Sequence, residues 1–387
     1  MPTWRVCGES PLEGCVKVQG AKNAVLPIMA ASLLHRGETT LENCPDLLDV
    51  KASVEILRHL GCSVEQSAGV IHIDSSAAAG THIPHALMLK MRSSVMFLGA
   101  ILARSGEVRL STPGGCELGS RPIDLHLRAL REMGAELDES CGEVHVRAAQ
   151  LRGAHINLDF PSVGATENIM LAACAAEGRT VITNAAREPE IEELQRYLRS
   201  AGAKITGAGT PVVTVEGFEG RRGVLLHRVM PDRIAAATFL CAAAAAGGEI
   251  CVKAMCPEHI QTVLSSLEGM GCDIISSADS VRLVRRAALR AARPVITRPY
   301  PGFPTDAQAL MMAACLKAEG NSVFVENIFE NRYRHAVEMR RLGADIRLEG
   351  RVAVISGTAQ LCGAPVTATD LRGGASLIIA GLSAQGQ

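Results

Sequence analysis

The stretch Ser111 to Leu125, STPGGCELGSRPIDL, sets one cysteine and one arginine among three glycines and two prolines. That composition describes an exposed loop feeding a helix rather than a strand or a core segment. A thiol placed there, with Arg121 five residues on, can have a lowered pKa and act as a nucleophile or a proton donor. The bland alternative for Cys116 is an unreactive thiol in a Gly-rich turn. What separates the two is the pattern in which the loop sits.

That pattern is an internal repeat. A helix, glycine, strand segment such as AASLLHRGETTLEN recurs at Gly37, Gly106, Gly178, Gly248, Gly320 and Gly386, a period of about 70 residues. A second helix in each unit ends on a glycine before a strand, as in LRHLGCSV at Gly61, LREMGAEL at Gly134, LRSAGAKI at Gly202, LEGMGCDI at Gly271 and MRRLGADI at Gly343. These second glycines fit helix C-caps in a left-handed conformation. Short alternating strands such as GVIHI and GEVHV close each unit. The chain therefore reads as six repeats of two helices and about four strands, an α+β fold whose units bury their helices against one another. After Gly386 only Gln387 follows, so the sixth unit is expected to be truncated, and Trp4 to Gln19 is expected to supply strands to a sheet begun at the other end.

Counting back from each first glycine reaches the expected start of the first helix, at Lys22, Arg92, Gly164, Arg233, Asp306 and Arg372. Four of the six are basic, where free amides and the helix dipole already favour anions. The set suits an anionic substrate, while a solvated face is the plain alternative for Arg233. Asp306 is the acidic member, read either as a helix cap in PTDAQA or as the acceptor of a proton from a hydroxyl substrate. The second repeat carries extra residues in the TPGGCELGS loop, giving Cys116 reach beyond the common plan, and Arg332 in ENIFENRYRH stands in a position related to Arg121.

Composition limits the alternatives. The 387 residues exceed one compact core and suggest two domains. With 39 Lys and Arg against 40 acidic residues, no net positive field draws the chain to nucleic acid or an anionic membrane. The longest nearly apolar run, Ile234 to Ala246, is short of a membrane span, so no membrane insertion is expected. Thirteen cysteines without a CxxC pair favour a reducing compartment. The scattered histidines offer no metal cluster, and His126 and His259 read as helix-surface or capping residues.

Across nearly its whole length the chain resembles the UDP-N-acetylglucosamine 1-carboxyvinyltransferases of the EPSP synthase superfamily. The resemblance rests on GAKNAVLPIMAA, KMRSS, TPGGCELGSRPIDLH, FPSVGATENIMLAA, NAAREPEI, YPGFPTDAQA, ENIFENRY and ATDLRGGASL, in the family's order. It implies an α/β prism of two pseudo-threefold domains, here 1–21 with 230–387 and 22–229, the latter carrying the Cys116 loop, with the active site between them. It also implies transfer of the enolpyruvyl group of phosphoenolpyruvate to the 3-hydroxyl of UDP-N-acetylglucosamine, with release of phosphate. This is the first committed step of peptidoglycan precursor synthesis in the bacterial cytoplasm. No cofactor and no metal are expected.

The family's site residues carry over one by one. Lys22, Asn23, Arg121, Arg332 and Arg372 match contacts to phosphoenolpyruvate, and Lys22 also serves the reacting centre. Cys116 matches the residue that protonates the donor's methylene carbon and is alkylated by fosfomycin. Asp306 matches the acid that takes the hydroxyl proton. Arg92, Arg121, Pro122, Ile123, Asp124, Leu125, Phe160, Ser162, Val163, Gly164, Asp306 and Ile328 match contacts to the nucleotide sugar. Phe160 stands where some members have lysine, Ala235 and Ala237 where the family often has Glu and Gly, and LRGG where LRAS is usual. Two alternatives stay open on sequence alone: a degenerate or truncated noncatalytic paralogue, and a 3-phosphoshikimate enolpyruvyl transferase.

Overall fold

The computed structural model describes residues 3–111, 123–140, 142–218, 220, 223–368 and 370–387, and for Arg92 the backbone only. Cys116, Arg121 and Pro122 lie outside the described residues. The chain divides into two compact units, one formed by 3–19 with 231–387 and the other by 20–111 with 123–230.

The two kinds of helix follow from their side chains. First helices such as Lys22–Ala31 and Arg233–Ala246 are almost wholly apolar and accordingly mostly buried, the former from Ala24 to its end and the latter except at Ala235, Thr238, Phe239 and Ala246. Second helices such as Asp124–Glu132 and Pro189–Ser200 carry charges on one face and bury the other, through Leu127 and Leu130 in the first case and Ile191, Leu194 and Leu198 in the second. The glycines that end the second helices, Gly61, Gly134, Gly202, Gly271 and Gly343, all have φ between 90° and 105°, the left-handed conformation that the repeat demanded.

The unit 20–111 with 123–230 holds three four-stranded sheets of one design. A lead strand runs parallel to the strand after the first glycine, and the closing hairpin joins that strand antiparallel. Thus His82–Ile83 leads Glu107–Ser111, which pairs with Glu143–Arg147 and then Glu136–Ser140. His155–Asn157 leads Arg179–Thr183 in the same way. The lead strand of the remaining sheet comes from the far end of the unit, where Val224–Arg228 pairs in parallel with Glu38–Glu42, Val224 opposite Glu38. Gly99 marks the close approach of the helices Phe97–Ser105 and Val163–Ala173, since a Cβ there would lie 2.3 Å from the Asn168 carbonyl oxygen.

The unit 3–19 with 231–387 repeats the design. Leu12–Lys17 leads Gly248–Lys253, and Val295–Ile296 leads Asn321–Val325. The first helices Arg233–Ala246, Thr305–Ala314 and Leu371–Leu382 pack pairwise against one another. Among the described residues the sixth repeat comprises the helix Leu371–Leu382 and a bridge between Cys362 and Gln385. The N-terminal strand departs from expectation. It joins the fourth repeat's sheet, because its apolar Val16 and Val18 line up with Val252 and the core beneath, while only the segment before it reaches the sixth repeat, where the Glu9 amide donates to the Leu382 carbonyl at 3.0 Å.

Candidate active site

All six helix-start positions fall on the first or second residue of their helices: Lys22, Arg92, Gly164, Arg233, Asp306 and Arg372. In the unit 3–19 with 231–387 two of them, Asp306 and Arg372, meet together with Arg332. The Asp306 carboxylate takes Arg332 Nη2 on Oδ1 at 2.9 Å and Arg372 Nη2 on Oδ2 at 3.0 Å. Arg332 is 3 % exposed, donates also to the Thr305 carbonyl at 3.3 Å, and lies over the Phe329 ring at 5.5 Å. Such buried guanidiniums need anionic partners, and Asp306 fills that role here. The cap reading of this segment gives way: Pro304 is the N-cap without a side-chain bond, and Thr305 Oγ1 donates to Glu326 Oε2 at 2.9 Å.

Carboxylates fix the surroundings. Asp370 caps the helix Leu371–Leu382 by accepting the Arg372 and Gly373 amides, and Asp232 caps Arg233–Ala246 by accepting those of Ile234 and Ala235. The fully buried Glu326 accepts the amides of Ile328 at 2.8 Å and Phe329 at 3.0 Å, so it sets the turn that carries Ile328. Burial works against the Arg372 charge, but Asp306 and then Asp232 outweigh it and raise the guanidinium pKa. Arg233 is not on a solvated face; it is 8 % exposed and lies 5.7 Å over the Tyr300 ring. Burial lowers His335, next to these groups, to about 4.

The other unit presents a second set. Lys22 and Asn23 open a helix, both half-buried, and Lys22 Nζ pairs with Asp49 at 3.0 Å. Ser162 Oγ caps the helix Val163–Ala173 by accepting the Ala165 amide at 3.3 Å. Asp124 is exposed while Ile123 and Leu125 are half-buried at the start of Asp124–Glu132. The runs 123–125 and 162–164 are neighbours because Gly164 leaves room for the His126 ring, which a Cβ would approach to 3.3 Å. His126 is therefore buried, not a surface residue as the sequence suggested. Asn168 Oδ1 accepts the Gly99 amide at 2.7 Å, so its Nδ2 is the donor to His126 Nδ1 at 2.9 Å. Burial lowers His126 to about 4. Phe160 stands 40 % exposed just before this helix.

Several polar residues here were not anticipated. Glu167, Glu190 and Glu193 are almost wholly buried, and burial followed by Glu190 and Glu188 pushes the Glu167 carboxyl well above the usual range. Only the acidic run REPEIEE hinted at the last two, Glu190 and Glu193. Asp232 and Asp370 were legible as aspartates directly before helix starts. A cavity of about 450 Å³ opens among Leu34, Ala103 and Cys174, at the C-terminal ends of the first helices, and so lies away from Lys22 and Val163. Among the described residues no helix is long and apolar enough to cross a membrane.

The family model for EPSP synthase (3-phosphoshikimate 1-carboxyvinyltransferase) matches residues 6–387. The UDP-N-acetylglucosamine 1-carboxyvinyltransferase 2 of Caldanaerobacter subterraneus subsp. tengcongensis is 47% identical, covering 100% of this chain and 92% of its own. The UDP-N-acetylglucosamine 1-carboxyvinyltransferase 1 of Symbiobacterium thermophilum is 48% identical, covering 99% and 88%. Among solved structures, the enolpyruvyl transferase NikO from Streptomyces tendae superposes with a TM-score of 0.86 at 24% identity, covering 98% of this chain and 90% of that one. An EPSP synthase from Acinetobacter baumannii gives 0.73 at 22%, covering 98% and 92%. Matched from residue 6 to its last residue, and built from the repeats described above, the chain belongs to the EPSP synthase family.

Proposed function

We propose that this chain transfers the enolpyruvyl group of phosphoenolpyruvate to the 3-hydroxyl of UDP-N-acetylglucosamine. The observation that carries the reading is identity of 47–48% over essentially the whole chain to relatives of that name, against 22% to the shikimate enzyme, a likeness of fold alone. In this reading the sugar oxygen bonds to C2 of the donor as C3 gains a proton, giving a tetrahedral phospholactoyl intermediate. Loss of a proton from C3 and cleavage of the C2–O bond then release phosphate.

The residues suit these steps. Arg332 is a buried cation and Arg372 a half-buried one, and both now bind Asp306, so an incoming trianion competes for both guanidiniums and frees the carboxylate to face the hydroxyl. Asp306 then accepts the hydroxyl proton. Lys22 and Arg121 add positive charge around the phosphate and the reacting carbon. Cys116 delivers the proton to C3 and is the site of fosfomycin alkylation. Ile123 to Leu125, Phe160, Ser162 to Gly164, Arg92 and Ile328 receive the nucleotide sugar. The physiological setting of this chemistry is peptidoglycan precursor synthesis in the bacterial cytoplasm.

The test is phosphate release from phosphoenolpyruvate with no acceptor, with UDP-N-acetylglucosamine, and with shikimate 3-phosphate, each before and after fosfomycin. Release that requires the nucleotide sugar and disappears with the drug supports the reading. Release with shikimate 3-phosphate alone, or none from folded protein, overturns it.

A further inference from the structure

The sheet led by Leu12–Lys17 contains an unusual ladder. In its register Glu13 faces Glu249, Cys15 faces Cys251, and Lys17 faces Lys253. Partners in a parallel pair project to the same side, and Val252 is fully buried on the opposite one, so these three pairs share the outer face. Like charges directly opposite one another oppose strand association. Arg282 relieves the acidic pair by binding Glu249 at 2.6 Å. The strand Leu12–Lys17 is an edge, bonded only to Gly248–Lys253, with four of its six residues exposed. Its outer face therefore contributes little cohesion, and two thiols sit at its centre.

We propose that Cys15 and Cys251 form a dithiol site for anionic low-molecular-weight disulfides, which close it into an intrachain disulfide. Cα atoms of in-register partners on adjacent strands lie within the range a disulfide spans. Cys15 is exposed and Cys251 partly so, giving the order of events. The Cys15 thiolate attacks the small disulfide, forming a mixed disulfide and expelling one small thiol. The Cys251 thiolate then attacks the Cys15 sulfur and expels the second. Two protein thiols are oxidised and one small disulfide is reduced to two thiols, so atoms and electrons balance. Lys17 and Lys253 supply the local positive field that draws an anionic reagent. Burial and then the adjacent Cys15 thiol raise the Cys251 thiol, while Lys253 and Arg282 oppose them. The site is independent of the donor and acceptor assigned above.

The experiment treats the full chain with glutathione disulfide, follows intact mass, and maps the peptides. The expected result is loss of two hydrogens with the Cys15 and Cys251 peptides joined, a product absent from Cys15→Ser and Cys251→Ser. The Cys251→Ser variant should instead stop at a glutathione adduct on Cys15. Lys17→Gln with Lys253→Gln should slow the reaction several-fold with glutathione disulfide and leave that with neutral hydroxyethyl disulfide unchanged. A stable adduct on wild-type Cys15 with Cys251 still alkylatable, a bridge to another cysteine, or no reaction at either overturns the proposal. Equal slowing with both reagents overturns its electrostatic part.

Discussion

Acidification should weaken the fold through His126, by an amount the geometry sets. Asn168 commits its carbonyl to Gly99 and presents its amide to His126 Nδ1, so the ring must be the neutral Nε2–H tautomer. A proton on Nδ1 would face a donor, without solvent to stabilise the charge. Burial therefore lowers the ring from the ordinary 6.5 of an exposed imidazole to about 4. Below 6.5 the unfolded chain binds the proton and the folded chain does not, so stability is full above that pH and falls until about 4. At pH 5 the loss is about 2 kcal/mol, from ~1.4 kcal/mol per unit of pKa difference. His126→Gln keeps an acceptor for Asn168 and removes the titration. In urea denaturation from pH 7.5 to 5 (roughly the window set by the two pKa values), wild type should lose about 2 kcal/mol more than the variant, other histidines cancelling in the difference. Ring nitrogen shifts should show Nε2–H and no titration above about 5. A midpoint near 6.5, Nδ1–H, or parallel stability profiles would refute the reasoning.

Four other outcomes are expected. Glu167→Gln should stabilise the protein increasingly as pH rises above about 4.5, because the wild-type carboxyl is held protonated and the unfolded chain releases that proton more easily; a flat difference by thermal denaturation counts against it. Arg332→Lys keeps the charge but loses the reach to Asp306 and the Thr305 carbonyl, and should raise KM for phosphoenolpyruvate about 10- to 100-fold, from ~1.5–3 kcal/mol for a charge-assisted bond; steady-state kinetics with unchanged donor KM would sink the donor-site assignment. Gly99→Ala drives a methyl group against the Asn168 carbonyl and should cost roughly 1–3 kcal/mol, read as a lowered Tm. Cys116→Ser should nearly abolish turnover and fosfomycin labelling while calorimetry finds UDP-N-acetylglucosamine binding within a small factor of wild type; retained turnover removes the proton-donor role.

The periodic features were legible because each has a local cause. A second-helix glycine such as Gly134 announces a left-handed cap, and a basic or acidic residue at a fixed distance before the first glycine announces a helix start. Long-range partners have no such local mark. Nothing in LEGCVK says which sheet it joins, since apolar alternation suits either. His126 looked like a helix-surface or capping residue and Arg233 was open between an anion site and a solvated face, and only the packing of Asn168 and Tyr300 against them shows why burial is tolerated. Asp306 was legible as acidic among basic residues, but its hold on two arginines depends on three segments far apart in sequence. Glu167 was invisible because a carboxylate inside a helix reads as surface.

The lead strand Val224–Arg228, borrowed from the end of its unit to complete the sheet of Glu38–Glu42, constrains how that unit is made. A nascent chain emerging from the ribosome cannot finish its earliest sheet until nearly 190 residues later (Glu38 to Val224), so closure is a high-contact-order event that comes last. The same arrangement brings the unit's ends together, the Ala21 amide donating to the Met230 carbonyl at 2.8 Å. A circular permutant that joins these ends and opens the segment 76–79, just after the strand Val70–Asp74, would carry the borrowed strand directly into its partner and keep all four strands of that sheet contiguous. Refolding of such a permutant would no longer wait on the chain's two extremities finding each other.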